Sequence, residues 1–92
     1  MNKKQVLNLL GLAQRARKIT TGEDLVLRKI QKRQAQIVFL AADCGQTTQK
    51  KFSDKCQSYQ VPLATNFTRA ELSVAIGQVR SIIAVTDSGF GK

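Results

Sequence analysis

The sequence predicts an α/β fold in which a sheet lies between layers of helices. Three observations carry that expectation. Segments with apolar residues at i, i+3, i+4 and i+7 alternate with short β-branched runs along the chain. Two of those runs, residues 36–42 and 81–86, are nearly continuous in apolar residues, as strands covered on both faces are. Turn-forming residues fall between the segments, so the alternation is punctuated as well as periodic.

Residues 3–17 read as the first helix, with Val6, Leu9, Leu10, Ala13 and Ala16 as its apolar stripe. Asn2 and Gln5 form a weak capping box at its start. Arg15, Arg17 and Lys18 crowd its C-terminal end, where they suit the helix dipole or a phosphate. Ile19, Thr20 and Thr21 make a brief strand, broken by Gly22. Thr21 is placed to cap the second helix with Asp24 reaching back, and Val26, Leu27 and Ile30 give that helix its buried stripe.

Residues 36–42 form a central strand that ends at the turn Asp43-Cys44-Gly45. Residues 48–59 set Phe52, Cys56 and Tyr59 at helical spacing, with Lys50, Lys51 and Lys55 on other faces. Residues 61–65 are a short strand whose start or edge is marked by Pro62. Thr68-Arg69-Ala70-Glu71 is a capping box for a helix with Leu72, Ala75, Ile76 and Val79 as its stripe, weakened at Gly77. Residues 81–86 are the second buried strand, closed by Asp87-Ser88-Gly89, after which Phe90-Gly91-Lys92 start a further helix or trail off. With no repeat, linker or low-complexity segment, the expectation is one domain over residues 1–92.

Composition narrows the chemistry. Lys and Arg number 15 against 6 Asp and Glu, a net charge of +9. Such an imbalance costs self-repulsion and adds nothing to a core, so it makes sense where a polyanion supplies the missing charge. No apolar run reaches the roughly 20 residues that cross a bilayer, and the basic N-terminus is a poor signal peptide, so a cytoplasmic protein without a membrane partner is expected. There is no His, which removes the commonest general base and metal ligand. Cys44 and Cys56 stand apart and read as reduced packing thiols, so no metal is expected.

Gly22 is a single glycine at a strand-to-helix turn, and neither G-x-G-x-x-G nor G-x-x-x-x-G-K-[ST] occurs, so no nucleotide cofactor is expected. Cys44 follows a strand, a common place for a nucleophile, but has no His to activate it, and no catalytic residue is assigned. Polyanion binding remains. Arg28 with Lys32, and Lys29 with Arg33, are pairs four apart, two cationic rows able to track a phosphate backbone. Gly22 allows close backbone approach beside free helix-start N–H groups, whereas Glu23 and Asp24 suit the dipole of that start. The aromatic content of 5%, with only Phe67 and Phe90 read as exposed rings, favours structured RNA over a loose single strand.

Three stretches carry a family resemblance: Leu9-Leu10-Gly11-Leu12-Ala13-Gln14-Arg15-Ala16-Arg17-Lys18, then Thr21-Gly22-Glu23-Asp24-Leu25-Val26, then Ala84-Val85-Thr86-Asp87-Ser88-Gly89-Phe90. Together they resemble the bacterial YlxQ-type proteins of the ribosomal-protein superfamily that binds kink-turn RNA, the L-seven-A-e type. The resemblance implies a three-layer α/β/α sandwich around a mixed four-stranded sheet. The leading expectation is a non-enzymatic, monomeric RNA-binding protein, ribosomal or ribosome-associated, whose partner is structured RNA such as ribosomal RNA. The resemblance also implies two neighbouring RNA-binding loops, here residues 22–28 and residues 77–81.

Together with the charge pattern, the expected RNA-binding residues are Gly22, Glu23, Asp24, Arg28, Lys29 and Lys32, and in the second loop Gln78, Val79 and Arg80. The family's first loop reads G-x-N-E-x-x-K. Counted from Gly22, Asp24 stands at the Asn position, Leu25 at Glu and Arg28 at Lys. A shift of one residue restores the acid but puts Leu27 at the basic position. The alternatives in other classes are a protein-interaction or assembly module, and a substrate-binding accessory domain of an RNA-modifying system.

Overall fold

A computed structural model describes residues 2–86 of the chain. Its elements run α1 (Lys3–Arg15), β1 (Ile19–Thr21), α2 (Glu23–Gln31), β2 (Ala35–Ala41), α3 (Gln46–Ser58), β3 (Leu63–Phe67), α4 (Arg69–Ile76) and β4 (Ile82–Thr86). The strands form one mixed sheet of order β1-β4-β2-β3. β4 runs antiparallel to both β1 and β2, and β3 runs parallel to β2.

The two apolar runs become the two inner strands, and their side chains alternate between two cores. Val38 and Leu40 of β2 and Ile82 and Ala84 of β4 meet Val26 and Ile30 of α2 and Phe52 and Cys56 of α3. Phe39 and Ala41 of β2 and Ile83 of β4 face the other way, onto Leu10 of α1 and Leu72 and Ile76 of α4, with Phe67 of β3. A strand buried on both sides has no polar face, which is why these runs lack alternation. The result is the expected α/β/α sandwich around a mixed four-stranded sheet.

Gly11 lets α1 and α4 approach: a Cβ there would meet the Ala75 carbonyl oxygen at 3.0 Å. Two of the three expected reciprocal caps form. Asn2 pairs with Gln5 and Thr68 with Glu71, and the Thr68 N–H bond to Glu71 holds that carboxyl below its ordinary range.

Several expectations are corrected. Leu9 and Ala16 are exposed rather than buried, because Leu10, one position on, takes the core-facing direction of α1. Phe67 is only 3% exposed, stacked edge-on against Phe39 with ring centroids 5.7 Å apart; it closes a core instead of presenting a ring. Val79 is not in a helix: Gly77, at φ 74°, ends α4 and leaves Val79 63% exposed. Thr21 does not cap α2; Gly22 holds the cap position without a side-chain bond. β3 starts after Pro62 rather than across it. The closing turn at residues 87–89 and Phe90 lie outside the described residues.

Three helices stop by the same device. The N–H groups of Arg17 and Lys18 bond back to the carbonyls of Gln14 and Ala13, those of Arg33 and Gln34 to Ile30 and Lys29, and those of Gln60 and Val61 to Gln57 and Cys56. Each pair is a Schellman closure, and the pivot residue takes the left-handed conformation: Arg17 at φ 59°, Arg33 at φ 59° and Gln60 at φ 58°. This conformation favours glycine. Gln60→Gly is therefore expected to raise stability by about 0.5–1 kcal/mol in a urea melt, at unchanged slope.

Candidate nucleic-acid interface

β1 ends where β4 begins, so the turn after β1 and the loop before β4 meet at one end of the sheet. Thr21 pairs with Ile83, and the Gly22 N–H donates to the Ile82 carbonyl at 3.4 Å. The loop after Gly77 is tied down by Ser73 of α4: the Arg80 N–H donates to Ser73 Oγ at 3.1 Å. From that anchor the Arg80 side chain crosses to the other segment. Its Nε–H donates to Thr21 Oγ1 at 3.2 Å, and its Nη1 to the Val79 carbonyl at 2.7 Å. One guanidinium thus joins residues 77–81 to the turn at Gly22 and keeps unused N–H groups for a ligand.

The turn has a particular backbone. Gly22 adopts φ 92°, ψ 147°, a region essentially reserved for glycine. Its carbonyl accepts the Val26 N–H at 3.0 Å, which starts α2. Because no side chain caps this start, the first N–H groups of α2 face outward. Glu23 and Asp24 sit on the exposed first turn, where their charge matches the dipole. Lys51 of α3 approaches Glu23 at 3.9 Å, a loose exposed pair.

The expected site residues therefore divide by position. Arg80 meets the turn at Thr21, next to Gly22; Glu23 and Asp24 follow on the first turn of α2, and Gln78 and Val79 are exposed on the loop that carries Arg80. Arg28 is exposed on the Asp24 face of α2, one turn further along. Lys29 and Lys32 lie at the far end of that helix: Lys29 Nζ donates to Gln34 Oε1 at 3.2 Å, and Lys32 is the C-cap. The second cationic row is broken, since Arg33 lies past the helix end, with its guanidinium 5.4 Å from the centre of the Tyr59 ring. Thr21 and Ser73 escape a reading of the sequence; nothing local marks two hydroxyls as the anchors of an arginine far along the chain.

The two thiols differ in position: Cys56 is buried in the core under α2 and α3, and Cys44 is half-buried in the turn after β2, within reach of the Glu23 charge. Both are free; burial pushes the Cys56 thiol up to about 11, and the Cys44 thiol is raised too, first by burial and then by the carboxylates of Asp43 and Glu23. Among the described residues no group of His, Cys, Asp and Glu could hold a metal ion, and no helix is long and apolar enough to cross a membrane.

A mixed sheet between two helix pairs defines the class: an α/β/α sandwich, here with two loops meeting at one sheet end. The chain belongs to the Ribosomal protein L7Ae/L30e/S12e/Gadd45 family, whose model matches residues 4–92. It is 42% identical over 91 residues to the RNA-binding protein YlxQ of Enterococcus faecium, covering 99% of this chain and 88% of that one. It is 48% identical over 85 residues to the RNA-binding protein YlxQ of Bacillus subtilis, covering 91% and 85%. Among solved structures it resembles a protein with unknown function from Bacillus halodurans, at TM-score 0.85, 47% identity and coverage of 91% and 86%. The fold is also that of a Giardia lamblia 15.5kD RNA binding protein, at TM-score 0.80 and 18% identity, covering 95% of this chain and 78% of that one.

Two measurements check the geometry. Gly22→Ala meets no atom within 4 Å, so its cost is conformational alone, about 1–3 kcal/mol in a denaturant melt. Raised thiols stay protonated at neutral pH, so a thiol reagent at pH 7.5 is expected to label half-buried Cys44 slowly and buried Cys56 only on unfolding, with the Cys44 rate climbing as pH rises.

Proposed function

We propose that this chain is a non-enzymatic RNA-binding protein, ribosomal or ribosome-associated, that binds structured RNA of the kink-turn kind through the sheet end carrying Gly22 and Arg80. The observation that carries this reading is the Arg80 bridge, which presents two loops as one surface. Relatives at 42% and 48% identity are named RNA-binding proteins, and this supports the same partner class here. Two free thiols fit a reducing compartment such as the cytoplasm. The chain acts as a single domain and a monomer in this reading.

The roles follow from chemistry. Carboxylates only accept hydrogen bonds, so Glu23 and Asp24 suit the N–H donors of base edges and repel phosphate. Phosphates go to Arg80, to Arg28 and to the open N–H groups at the start of α2. Exposed Val79 offers an apolar contact for an unstacked base. Leu25 is 53% exposed and adds apolar surface on the same first turn, where a polar residue would have given a hydrogen bond.

The test is a titration of the full chain against an RNA with tandem G·A pairs beside an internal loop, at several salt concentrations. The logarithm of affinity is expected to fall with that of salt by roughly 0.7–0.9 per neutralised phosphate. Arg28→Ala with Arg80→Ala should lower the slope by about 1 for each arginine that meets a phosphate, with the far-UV circular dichroism unchanged. An affinity and slope equal to those of the unaltered chain would overturn the assignment of this surface.

A further inference from the structure

The opposite end of the sheet has a charge pattern of its own. β1 and β2 flank β4 and both start beside its final residues: Ile19 pairs with Val85 and Ala35 with Thr86, while the Thr86 N–H donates to the Lys18 carbonyl at 2.7 Å. The C-terminal ends of α1 and α2 are thereby drawn to one edge, and they bring Arg15, Arg17, Lys32 and Arg33 with them. Of the described acids, Glu23, Asp24 and Glu71 sit in first helix turns and Asp43 in the turn after β2, at the other end of the sheet, where they are mixed with Lys3, Lys4, Arg69 and Arg80; Asp54 lies within α3.

The helix dipole accounts for a cation within the last turn, such as Arg15. It does not account for Arg17 and Arg33, which lie past their helices in left-handed conformations that favour glycine. Arg17 is exposed at its pivot, and Arg33, also exposed, has its guanidinium 5.4 Å from the ring centre of Tyr59, the C-cap of α3. The two strand starts are two strand spacings apart, about 10 Å, a span that covers more than one step of a nucleic-acid strand. The edge is separated from the Gly22 end by the length of β4, about 14 Å, so a ligand held at one end leaves the other open.

We propose that this edge is a second RNA-contacting surface, formed by Arg17 and Arg33 with Arg15 and Lys32, which grips the phosphate backbone without regard to sequence. The domain then holds two segments of folded RNA at once: base edges at the Gly22 end, backbone alone at the arginine end. The partner class rests on the RNA reading given above, and the surface is distinct from it.

The test uses the full chain and a 30-base-pair RNA duplex with no internal loop, followed by fluorescence anisotropy at several salt concentrations. The decisive variant is Arg17→Gly with Arg33→Gly, because glycine suits both backbone positions and the melting midpoint is expected to hold or rise. Affinity for the duplex should fall about fivefold to fiftyfold, and the salt slope by about 1.4–1.8, the value for two phosphates. Arg15→Gln with Lys32→Gln, which leaves both pivots intact, should move affinity and slope in the same direction and decides the matter if the glycine variant melts lower.

Unchanged affinity and slope in the deciding variant overturn the proposal, as does failure of the unaltered chain to bind the duplex. Arg28→Ala with Arg80→Ala separates the two surfaces. If that variant loses the G·A-containing RNA while the pivot variant loses nothing, the first surface stands and the second falls. If the pivot variant loses the duplex while the Arg28 and Arg80 variant keeps the G·A-containing RNA, the second stands and the first falls.

Discussion

The structure depends on β4 lying between β1 and β2. That strand is last among those described, yet it is hydrogen-bonded on both sides, antiparallel to each neighbour. Its alternating residues supply both cores, Ile82 and Ala84 to one and Ile83 to the other. Its two ends also set the two surfaces. At its start the Ile82 carbonyl receives the Gly22 N–H, and at its finish Thr86 bonds to Lys18. A shift of one residue in its register would turn every core side chain to the wrong layer and separate both loop pairs.

This placement is why the proposed recognition falls to loops rather than to strand faces. The inner strands are covered by helices on both faces, so they cannot touch a macromolecule. The outer helix faces and the sheet ends remain open, and the two ends differ. At one end the helices begin, with open N–H groups, carboxylates and the glycine turn; at the other, helices finish in closed turns carrying arginine. In the reading proposed, the first, chemically mixed, suits base edges, and the second, which among the described residues gathers Arg15, Arg17, Lys32 and Arg33, suits a backbone.

Arg80 shows how a loop residue can be both structural and available. Its backbone is held by Ser73 and its side chain by Thr21 and the Val79 carbonyl, so the guanidinium is oriented before any ligand arrives. Ordering it in advance lowers the entropy that binding must otherwise spend. Arg33 is oriented in a different way, by the face of Tyr59. Lys29, by contrast, is half-buried and bonded to Gln34, which makes it part of the end of α2 more than of its surface.

Much of this was legible in the amino-acid order. Element type and sequence followed from periodicity, and the capping boxes of α1 and α4 from local residue types, because these depend on neighbours within one helical turn. The apolar runs announced strands covered on both faces, and the motif pattern pointed to Gly22, Asp24 and Arg80. The partners of those residues were not legible. Phe67 reads as exposed until β3 is set against β2 and α1, and Val79 reads as helical until Gly77 turns left-handed. The two rows of cations on α2 look like one patch until the helix ends at Gln31 and Arg33 turns away. The sequence by itself determined the layers, the capped starts of α1 and α4 and the excess charge, all consequences of short-range pattern and composition. Only the tertiary structure decided which loops meet and which end each cation occupies, since strand order joins Thr21 to Arg80 across 59 residues of chain.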